Sequence, residues 1–394
     1  MFERSMSETL LKTARSFPGT VLIGPRQSGK TTLLKQLFPE YSYINLESPD
    51  TLLRIQGDPR GFLLSDQRHW IIDEAQKFPE LFSYLQEEID KTPIPGRFIL
   101  SGSQNFLLDE KINQTLAGRV AILELLPLSY SEYLTNNTCS PTTLWKFLYE
   151  GSYPRLYHEH LDPIIWYNSY IRTYLERDVR SLIHIRNLNI FQTFLKLCAG
   201  RHGQLLNLNA LANDCGISQT TATHWLSVLE SSYIIHLLKP HHQNFNKRLV
   251  KTPKLYFYES ALVCHLLGIE SPEHLQSHAH RGAIFEGFVM AEILKFYAAQ
   301  GKTAPLYFWR DHLGTEVDAL LEKGGDLFAI EIKSTTTFAT SLLTELNKWK
   351  KIAKDQAKKA FLMYSGDENF TYDNTEITAW NQCHKLLEQI FSSS

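Results

Sequence analysis

The eight residues from Gly24 to Thr31 have the types and the spacing that bind a triphosphate. They read Gly-Pro-Arg-Gln-Ser-Gly-Lys-Thr, a complete G-x-x-x-x-G-K-[ST] motif between an apolar run and a helix-like run. Glycines let the backbone curl so that successive N–H groups face the phosphates, and the following helix adds the positive end of its dipole. We expect Lys30 to reach the β- and γ-phosphates and Thr31 to place its hydroxyl on Mg²⁺. The predicted nucleotide-binding residues are Gly24, Pro25, Arg26, Gln27, Ser28, Gly29, Lys30, Thr31 and Thr32.

A pair of carboxylates closes a second apolar run, about 43 residues after Lys30. The run Trp70-Ile71-Ile72 ends in Asp73 and Glu74. A buried parallel strand is a continuous apolar run, and ligands gather at the carboxyl ends of such strands. Asp73 is therefore predicted to hold Mg²⁺, and Glu74 to polarise the attacking water. Together with Lys30 as a catalytic cation, these carboxylates predict that ATP is hydrolysed as well as bound.

Three further polar residues are candidates for contact with the γ-phosphate. Ser103 and Gln104 follow the strand-like run 97–100, and a polar residue at such a strand end can touch the attacking water. The alternative is a simple strand-to-helix turn with a serine cap. Arg119 stands beside Gly118 and is the candidate arginine finger for a neighbouring subunit, which would require a homo-oligomer. The alternative for Arg119 is an ordinary salt bridge.

The last third of the chain carries a second set of residues suited to phosphate chemistry. Glu331 and Lys333 are two apart on a predicted strand, so they share a face, and Asp318 lies on the preceding strand across a Gly-Gly turn. Asp318 and Glu331 would share Mg²⁺ or Mn²⁺, while Lys333 stabilises charge near a scissile phosphate. Glu286, on a preceding predicted helix, would be a fourth member. The pattern resembles the PD-(D/E)XK nuclease fold; an E-x-K on an exposed strand, or a fold kept as a binding module, is the alternative.

The middle of the chain has the order of a helix-turn-helix. A short helix ends at Gly216, and Ser218 caps a second predicted helix that is followed by a strand-like run. Residues 151–258 carry 12 Lys and Arg against six Asp and Glu, although the outward positions of the second helix are free of Lys and Arg. DNA contact and docking on the ATPase, as a lid or a subunit interface, are both compatible with this pattern. Basic residues that would supply phosphate affinity follow the strand: Lys247, Arg248, Lys251 and Lys254.

The bulk composition describes a globular protein with more than one domain. The chain has 394 residues, of which 43% are hydrophobic and 21% charged, and its formal net charge is −2. The N-terminus has no apolar core of signal-peptide length, and no charge-free stretch of about 18 residues would span a bilayer. The five cysteines are far apart and form no C-x-x-C motif. We therefore expect a cytoplasmic protein with no membrane partner.

Several segments together resemble the bacterial and archaeal AAA-type ATPases whose nucleotide domain is followed by a C-terminal region of unknown function. One departure from the resemblance is Glu259, where that family usually carries Asp, and the sequence assigns this acid no role. The segments extend over nearly the whole chain. They are GPRQSGKTTLL, WIIDEAQ, ILSGSQ, LAGRV, LELLPLSYSEY, YIRTYLERDVRSL, ISQTTATHWLSVLESSYIIHLLKPHHQN, KRLVKTPKLYFYESAL, YFWRDHLGTEVDALL and FAIEIKS.

The residues and the resemblance predict an α/β chain of three domains. Residues 1–135 would form a P-loop parallel-sheet ATPase domain, 136–258 a helical linker with an α-rich winged-helix domain, and 259–394 an α/β restriction-endonuclease-like domain. The leading hypothesis is a Mg²⁺-dependent ATPase whose ATP binding and hydrolysis are coupled to nucleic-acid binding or processing. Two alternatives stay open. One is a nucleotide switch that binds a protein partner and has an inactive nuclease-like domain; the other is an ATP-responsive DNA-binding regulator.

Overall fold

A computed structural model of the chain contains two compact units. The first comprises Met1–Leu128, Tyr153–His158 and Tyr297–Lys302, and the second comprises Ser129–Ser152, Glu159–Phe296 and Thr303–Ser394. The regions predicted as a middle and a C-terminal domain thus share one unit, and the division at 135 and 258 stays a prediction. The residues whose structure is described are 2–64, 69–102, 116–136, 143–173, 188–241 and 251–392. Within these ranges, no helix combines the length and the apolar character needed to cross a membrane.

The first unit is built on a five-stranded sheet in which every neighbouring pair of strands is parallel. The strands lie in the order β2-β3-β4-β1-β5. Parallel strands need crossover connections, and helices accompany them here. The strands are β1 (Gly19–Ile23), β2 (Ser42–Asn45), β3 (Trp70–Asp73), β4 (Phe98–Gly102) and β5 (Val120–Glu124). The helices are α1 (Ser7–Ser16), α2 (Lys30–Leu37), α3 (Pro49–Gly57), α4 (Pro59–Leu64) and α5 (Leu81–Lys91).

Burial explains why these segments are strands. All residues of β1, β3 and β4 are buried, as the continuous apolar runs predicted. Leu22, Ile71 and Ile99, one from each of these strands, share a core with Leu10 of α1 and Leu34 of α2. Because the strands run in the same direction, their carboxyl ends meet at one edge of the sheet. The residues that follow β1 and β3 therefore come together at that edge.

The second unit contains a six-stranded mixed sheet with the order β13-β14-β12-β11-β10-β9. The first three strands in sequence form an antiparallel meander, and β11, β12 and β14 are parallel. The hairpin between β10 and β11 turns at Gly324 and Gly325, whose φ values of 61° and 90° suit glycine. The strands are β9 (Leu306–Arg310), β10 (Glu316–Lys323), β11 (Asp326–Lys333), β12 (Ala357–Tyr364), β13 (Phe370–Tyr372) and β14 (Thr375–Ala379).

The second unit also contains most of the remaining described helices, and one of them packs on the core of this sheet. Trp349 is fully buried with Trp309 of β9 and Leu320 of β10. The helices are α6 (Tyr130–Asn136), α7 (Leu144–Glu150), α8 (Pro154–His158, in the first unit), α9 (Pro163–Tyr170), α10 (Leu188–Ala199), α11 (Leu208–Cys215), α12 (Gln219–Ser231), α13 (Ser260–Leu266), α14 (Pro272–Ser277), α15 (Arg281–Ala299), α16 (Thr344–Ala353) and α17 (Cys383–Ser392).

A small antiparallel sheet is formed by strands on both sides of the predicted pair of helices. Gly216 ends α11 in the left-handed conformation, and the Ser218 hydroxyl caps α12 by accepting from the Thr221 N–H at 3.0 Å. Strands β6 (Gln204–Leu205), β7 (Ile235–Leu238) and β8 (Lys254–Phe257) then form the sheet β6-β8-β7. Just past β7, the His241 N–H donates to the Phe308 carbonyl of β9 at 2.7 Å. The small and large sheets of the second unit are therefore directly connected.

Glu259, which the sequence left without a role, caps α13 and anchors an earlier segment. Its carboxylate accepts from the Ala261 N–H at 3.4 Å, and from the N–H and hydroxyl of Ser152 at 3.1 and 2.5 Å. Lys295 donates to the Ser152 hydroxyl and to Glu292, which accepts from the Tyr130 N–H. Burial raises the pKa of Glu259, and Lys295 opposes that effect. The acid thus joins parts of the chain predicted to lie in different domains.

We expect Glu259→Ala to lower the free energy of unfolding by about 3 kcal/mol, because buried donors lose their acceptor. Urea denaturation followed by circular dichroism measures the change. Glu368→Ala is the matched control, since Glu368 is exposed between β12 and β13; it should leave the transition midpoint unchanged. A wild-type midpoint for the Glu259 variant would contradict the assigned role.

His202 is fully buried against β8. Its Nδ1 accepts from the Phe257 N–H at 3.0 Å, and its ring stands at 84° to the ring of Tyr256. Burial lowers the pKa of His202 to about 3, so the ring is neutral in the folded chain. The unfolded chain takes up a proton on this ring below about pH 6.5, whereas the folded chain does not. His202 therefore makes the fold less stable as the pH falls.

We expect His202 alone to lower the free energy of unfolding by about 2 kcal/mol between pH 7 and pH 5. His202→Gln should reduce the pH dependence by that amount, whatever it does to stability at pH 7. Urea denaturation at the two pH values measures the slope. His224→Gln, an exposed change on α12, is the control and should keep the wild-type slope, and an unchanged slope in the His202 variant would disprove the assignment.

Candidate functional site

The phosphate-binding loop curls tightly between β1 and α2. Gly24, Gln27 and Gly29 have φ values of 145°, 67° and 95°, a region that glycine enters at low cost. A Cβ at Gly24 would collide with the carbonyl oxygen of Leu125. The first glycine of the motif therefore permits a close approach of two backbones, and Gly29 permits the turn into α2. The local structure agrees with the strand, loop and helix order that the sequence predicted.

Lys30 is the first residue of α2, and its side chain folds back over the loop. Its ammonium donates to the carbonyl oxygens of Gly24 and Pro25, both at 2.8 Å. Burial lowers the pKa of Lys30 to about 8, while Glu74 and Asp73 oppose that effect. A buried cation thus lies beside the loop and interacts electrostatically with the predicted metal ligand Asp73 and the predicted catalytic Glu74.

The Asp73 carboxylate is the centre of the hydrogen-bond network at this edge. It is 4% exposed and accepts from the Thr31 hydroxyl at 2.6 Å, the Tyr43 hydroxyl at 2.9 Å, the Glu74 N–H at 3.1 Å and the Ser101 hydroxyl. The structure therefore brings Thr31 and Asp73 together, as predicted. The sequence analysis missed Tyr43 and Ser101. Both lie near the carboxyl ends of β2 and β4, the neighbours of β3, and only the strand order shows this.

Glu74 follows β3 in the left-handed conformation, with a φ of 54°. Its carboxylate accepts from the Gln76 side-chain amide, a partner to which the sequence assigned no role. A non-glycine residue in this conformation indicates a backbone held by its surroundings. Gln76 is buried, so the predicted catalytic carboxylate is oriented by a fixed neighbour.

Two arginines hold the loop in place. Arg4 is 7% exposed and donates to the carbonyl oxygens of Ser28 and Leu126, at 2.7 and 2.6 Å. Arg26 lies 3.5 Å from the Glu47 carboxylate that follows β2. The sequence predicted Arg26 as a loop residue but missed Arg4, which precedes α1. Nothing local to Arg4 in the sequence indicates a contact with a loop 24 residues away.

Arg119 forms the salt bridge that the sequence analysis left as its alternative. Its guanidinium pairs twice with Asp90 of α5, from Nε at 2.5 Å and from Nη2 at 2.9 Å. Both side chains are partly exposed. A role on the nucleotide of a neighbouring subunit would require this pair to open. Ser103 and Gln104 lie outside the described residues.

In the second unit, the four residues predicted as a nuclease-like site lie in one acidic cluster. The Lys333 ammonium is 3.2 Å from Asp318 Oδ2 and 2.6 Å from Glu331 Oε1. The Ile332 N–H also donates to Asp318 Oδ2, at 2.8 Å. Glu331 is 3% exposed, and its Oε2 has no hydrogen-bond partner among the described residues. Such an orphaned buried oxygen is suited to a further donor or a cation.

Two residues of β8 belong to the same cluster. Lys254 is 3% exposed and lies 3.0 Å from Glu286 Oε1, and it also pairs with Glu316 of β10. The Tyr256 hydroxyl donates to the same Glu286 oxygen. The sequence analysis had placed Lys254 with the basic residues available to DNA, which is wrong because the side chain is buried among carboxylates. Lys247 and Arg248 lie outside the described residues.

The cluster strongly perturbs its own ionisable groups. Burial raises the pKa of Glu286 to about 7, with Lys254 opposing and Asp318 adding to the effect. Burial and Asp318 raise the pKa of Glu331 to about 8, and Lys333 opposes them. Burial lowers the pKa of Lys254, but Glu286, Asp318 and Glu316 outweigh it and raise the net value. Burial therefore disfavours the charged forms of Glu286 and Glu331, and the neighbouring lysines favour them.

The donor sets of the two sites can be compared with what Mg²⁺ requires. In the first unit, the Thr31 hydroxyl and the Asp73 carboxylate offer adjacent oxygens, which fit Mg²⁺. In the second unit, Asp318 and the orphaned oxygen of Glu331 are also hard oxygen donors. Across the described ranges, no group of three or more His, Cys, Asp or Glu side chains is arranged to hold a metal ion. A metal at either site would thus need further ligands from a substrate or from water.

Three families match successive parts of the chain. Residues 16–134 match the AAA domain, residues 141–273 a domain of unknown function (DUF8612), and residues 281–383 a second domain of unknown function (DUF4143). The matches leave short stretches between them at 135–140 and 274–280. The first match spans β1 to β5 and the phosphate-binding loop, so the residues of this site lie within the part of the chain that matches the AAA domain.

Solved structures and curated relatives provide further likenesses. The Walker-type ATPase PABY2304 of Pyrococcus abyssi is 16% identical, covers 68% of this chain and 96% of its own, and has a TM-score of 0.39. AMPPCP-bound DnaA from Aquifex aeolicus is 15% identical, covers 57% and 85%, and has a TM-score of 0.30. An uncharacterized protein of Haemophilus influenzae is 22% identical over 369 residues, or 84% of this chain and 87% of the relative.

A mycobacterial relative is similar over almost the whole chain. The uncharacterized protein Rv2008c of Mycobacterium tuberculosis is 30% identical over 380 residues, which are 95% of this chain and 82% of the relative. The similarity therefore extends beyond the phosphate-binding loop and includes both units. The chain belongs to the same family as this mycobacterial protein, and its residues 16–134 form an AAA-type P-loop ATPase domain.

Proposed function

We propose that the first unit binds ATP and hydrolyses it with Mg²⁺. The observation that carries the proposal is the 2.6 Å contact between Thr31 and Asp73, at the same sheet edge as Lys30 and Glu74. Lys30 supplies a cation for the phosphates, Thr31 and Asp73 supply two metal ligands, and Glu74 supplies a base. A glycine-rich turn that occurred by chance would not be expected to hydrogen-bond to a carboxylate on a strand 42 residues away.

Each residue has a distinct part in the proposed reaction. Lys30 compensates phosphate charge, and Thr31 and Asp73 hold the metal ion. Glu74, fixed by Gln76, orients and polarises the attacking water. Tyr43 and Ser101 orient the Asp73 carboxylate by donating hydrogen bonds to it. When bound, Mg²⁺ withdraws charge from the phosphate oxygens and so favours transfer.

We expect Lys30→Ala to abolish ATP binding, whereas Glu74→Gln keeps binding and lowers the hydrolysis rate at least about 100-fold. Lys30 acts on the phosphates in every state, while Glu74 acts only on the water. Calorimetry with ATP measures binding, and phosphate release measures hydrolysis. Lys12→Ala is the matched control, because Lys12 is an exposed lysine on α1, and it should leave both ATP binding and hydrolysis unchanged. Hydrolysis at the wild-type rate by the Glu74 variant would refute its role.

A second proposed function is nucleic-acid binding or cleavage by the second unit. The supporting observation is the cluster of Glu286, Asp318, Glu331 and Lys333, with one buried carboxylate oxygen left for a cation. The order of α15, the β9–β11 meander, α16 and β12 is compatible with the nuclease-like fold expected from the sequence. The winged-helix interpretation draws support from α11, α12 and the small sheet, with a face of α12 that is exposed and polar.

We expect the wild-type chain to cut DNA or RNA with Mn²⁺, and Asp318→Ala and Lys333→Ala to lose the cutting. The loss follows because one change removes a metal ligand and the other removes the cation near the scissile phosphate. Gel assays on single- and double-stranded substrates, with and without ATP, measure it. Lys359→Ala, on the partly exposed part of β12, is the control.

Failure to cut any nucleic acid would favour the rival functions. Stimulation of ATP hydrolysis by DNA without cleavage would support an ATP-responsive DNA-binding regulator. Absence of both effects would support a nucleotide switch that binds a protein partner.

A further inference from the structure

The acidic cluster of the second unit contains more negative than positive side chains. Its carboxylates come from α15, β10 and β11, and its cations from β8, β9 and β11. Four carboxylates lie beside three cations in this cluster. The carboxylates are Glu286, Glu316, Asp318 and Glu331, and the cations are Lys254, Lys333 and Arg310.

The cations are not equivalent. Arg310 pairs with Glu316 at 2.9 Å, but 37% of its side chain is exposed, and 35% of the Lys333 side chain is exposed as well. The Lys254 side chain is only 4% exposed and contacts both Glu286 and Glu316. A buried ammonium between two carboxylates interacts with them far more strongly than an exposed one, because water screens it less.

Lys254 also comes from a different sheet. It begins β8 of the small sheet, and Tyr256, two residues later on the same face, donates to the Glu286 oxygen that Lys254 contacts. One oxygen of Glu286 is therefore occupied by two donors of β8. In the same cluster, Glu331 Oε2 has no hydrogen-bond partner among the described residues.

We propose that the Lys254 ammonium is a built-in cation of the acidic cluster and competes there with a divalent metal ion. The inference rests on the second proposed function, which places such a metal in the cluster. Lys254 contacts Glu286, while Asp318 and Glu331 offer further carboxylate oxygens. Without Lys254, the four carboxylates face only two cations, both of them partly exposed. The position of β8 then controls how well the cluster holds a metal.

The test is Mn²⁺ binding to the full, nucleotide-free chain by calorimetry and by electron paramagnetic resonance of free Mn²⁺. We expect Lys254→Gln to bind Mn²⁺ at least about tenfold more tightly than wild type, since a buried opposing charge is removed. Lys254→Arg keeps the charge and should change the affinity little. Arg310→Gln is the matched control, because it removes a cation from Glu316 at an exposed position. Binding that disappears with Asp318→Asn is assigned to this cluster.

A second comparison guards against misfolding of the Lys254 variant. In the Glu286→Gln background, removing Lys254 no longer leaves Glu286 as an uncompensated buried charge. Mn²⁺ should bind Glu286→Gln/Lys254→Gln at least about tenfold more tightly than Glu286→Gln alone. Circular dichroism establishes that each protein is folded.

The outcomes separate the two proposals. Asp318-dependent Mn²⁺ binding of equal strength with and without Lys254 would overturn the inference and leave the metal site standing. No Asp318-dependent Mn²⁺ binding in any folded variant would overturn both. Tighter Asp318-dependent binding with Lys254→Gln, but not with Arg310→Gln, would establish the competition.

Discussion

A carboxylate removed from water must be met by hydrogen-bond donors or by a cation, and this requirement organises both units. Asp73 is buried at the edge of the first sheet and is satisfied by hydroxyl groups from three different elements together with one backbone N–H. In the second unit, Glu286 and Glu331 are met by lysines instead. Glu259 is met by Ser152 and a helix N-terminus. Each buried acid thus ties together segments that are distant in sequence.

The two ways of meeting a carboxylate have different chemical consequences. Hydroxyl groups donate to Asp73 and can share their oxygens with a metal ion, so the oxygens at the edge of the first sheet fit Mg²⁺. Ammonium groups already neutralise the carboxylates around Glu286, so a metal would have to displace or outweigh them. The same residue types are therefore arranged for binding in one unit and for compensation in the other.

The backbone contributes a second constraint, which applies to the loop rather than to the carboxylates. Parallel strands direct their carboxyl ends to one edge, so the residues after β1 and β3 meet without any special local sequence. Gly24 then has to approach Leu125 closely, and Arg4 holds the loop by two carbonyl oxygens. Glycine is needed at position 24 because a side chain would collide with the Leu125 carbonyl. Arg4 instead provides donors for the carbonyl oxygens of Ser28 and Leu126.

Much of the first site was predictable because its signals are local. Apolar runs predicted β1 and β3, and the motif spacing predicted the roles of the residues from Gly24 to Thr31. The helix after Ser218 and the Gly-Gly hairpin were likewise predicted from short-range capping and turn chemistry. Even the nuclease-like residues were brought together as their strand spacing indicated. In each case, the decisive interactions lie within a few residues or follow from strand periodicity.

What the sequence could not determine are pairings between distant elements. Tyr43 and Ser101 join Asp73 only because β2 and β4 flank β3 in the sheet order. The sequence predicted Lys254 as a cation available to DNA, but β8 places it in the acidic cluster. For Arg119 the sequence left an arginine finger and a salt bridge open, and the structure pairs it with Asp90. The sequence by itself determined the phosphate-binding loop and its paired carboxylates, since backbone geometry and residue chemistry are local properties. Only the tertiary structure decided which charges are buried together, because that depends on how separate strands and helices pack.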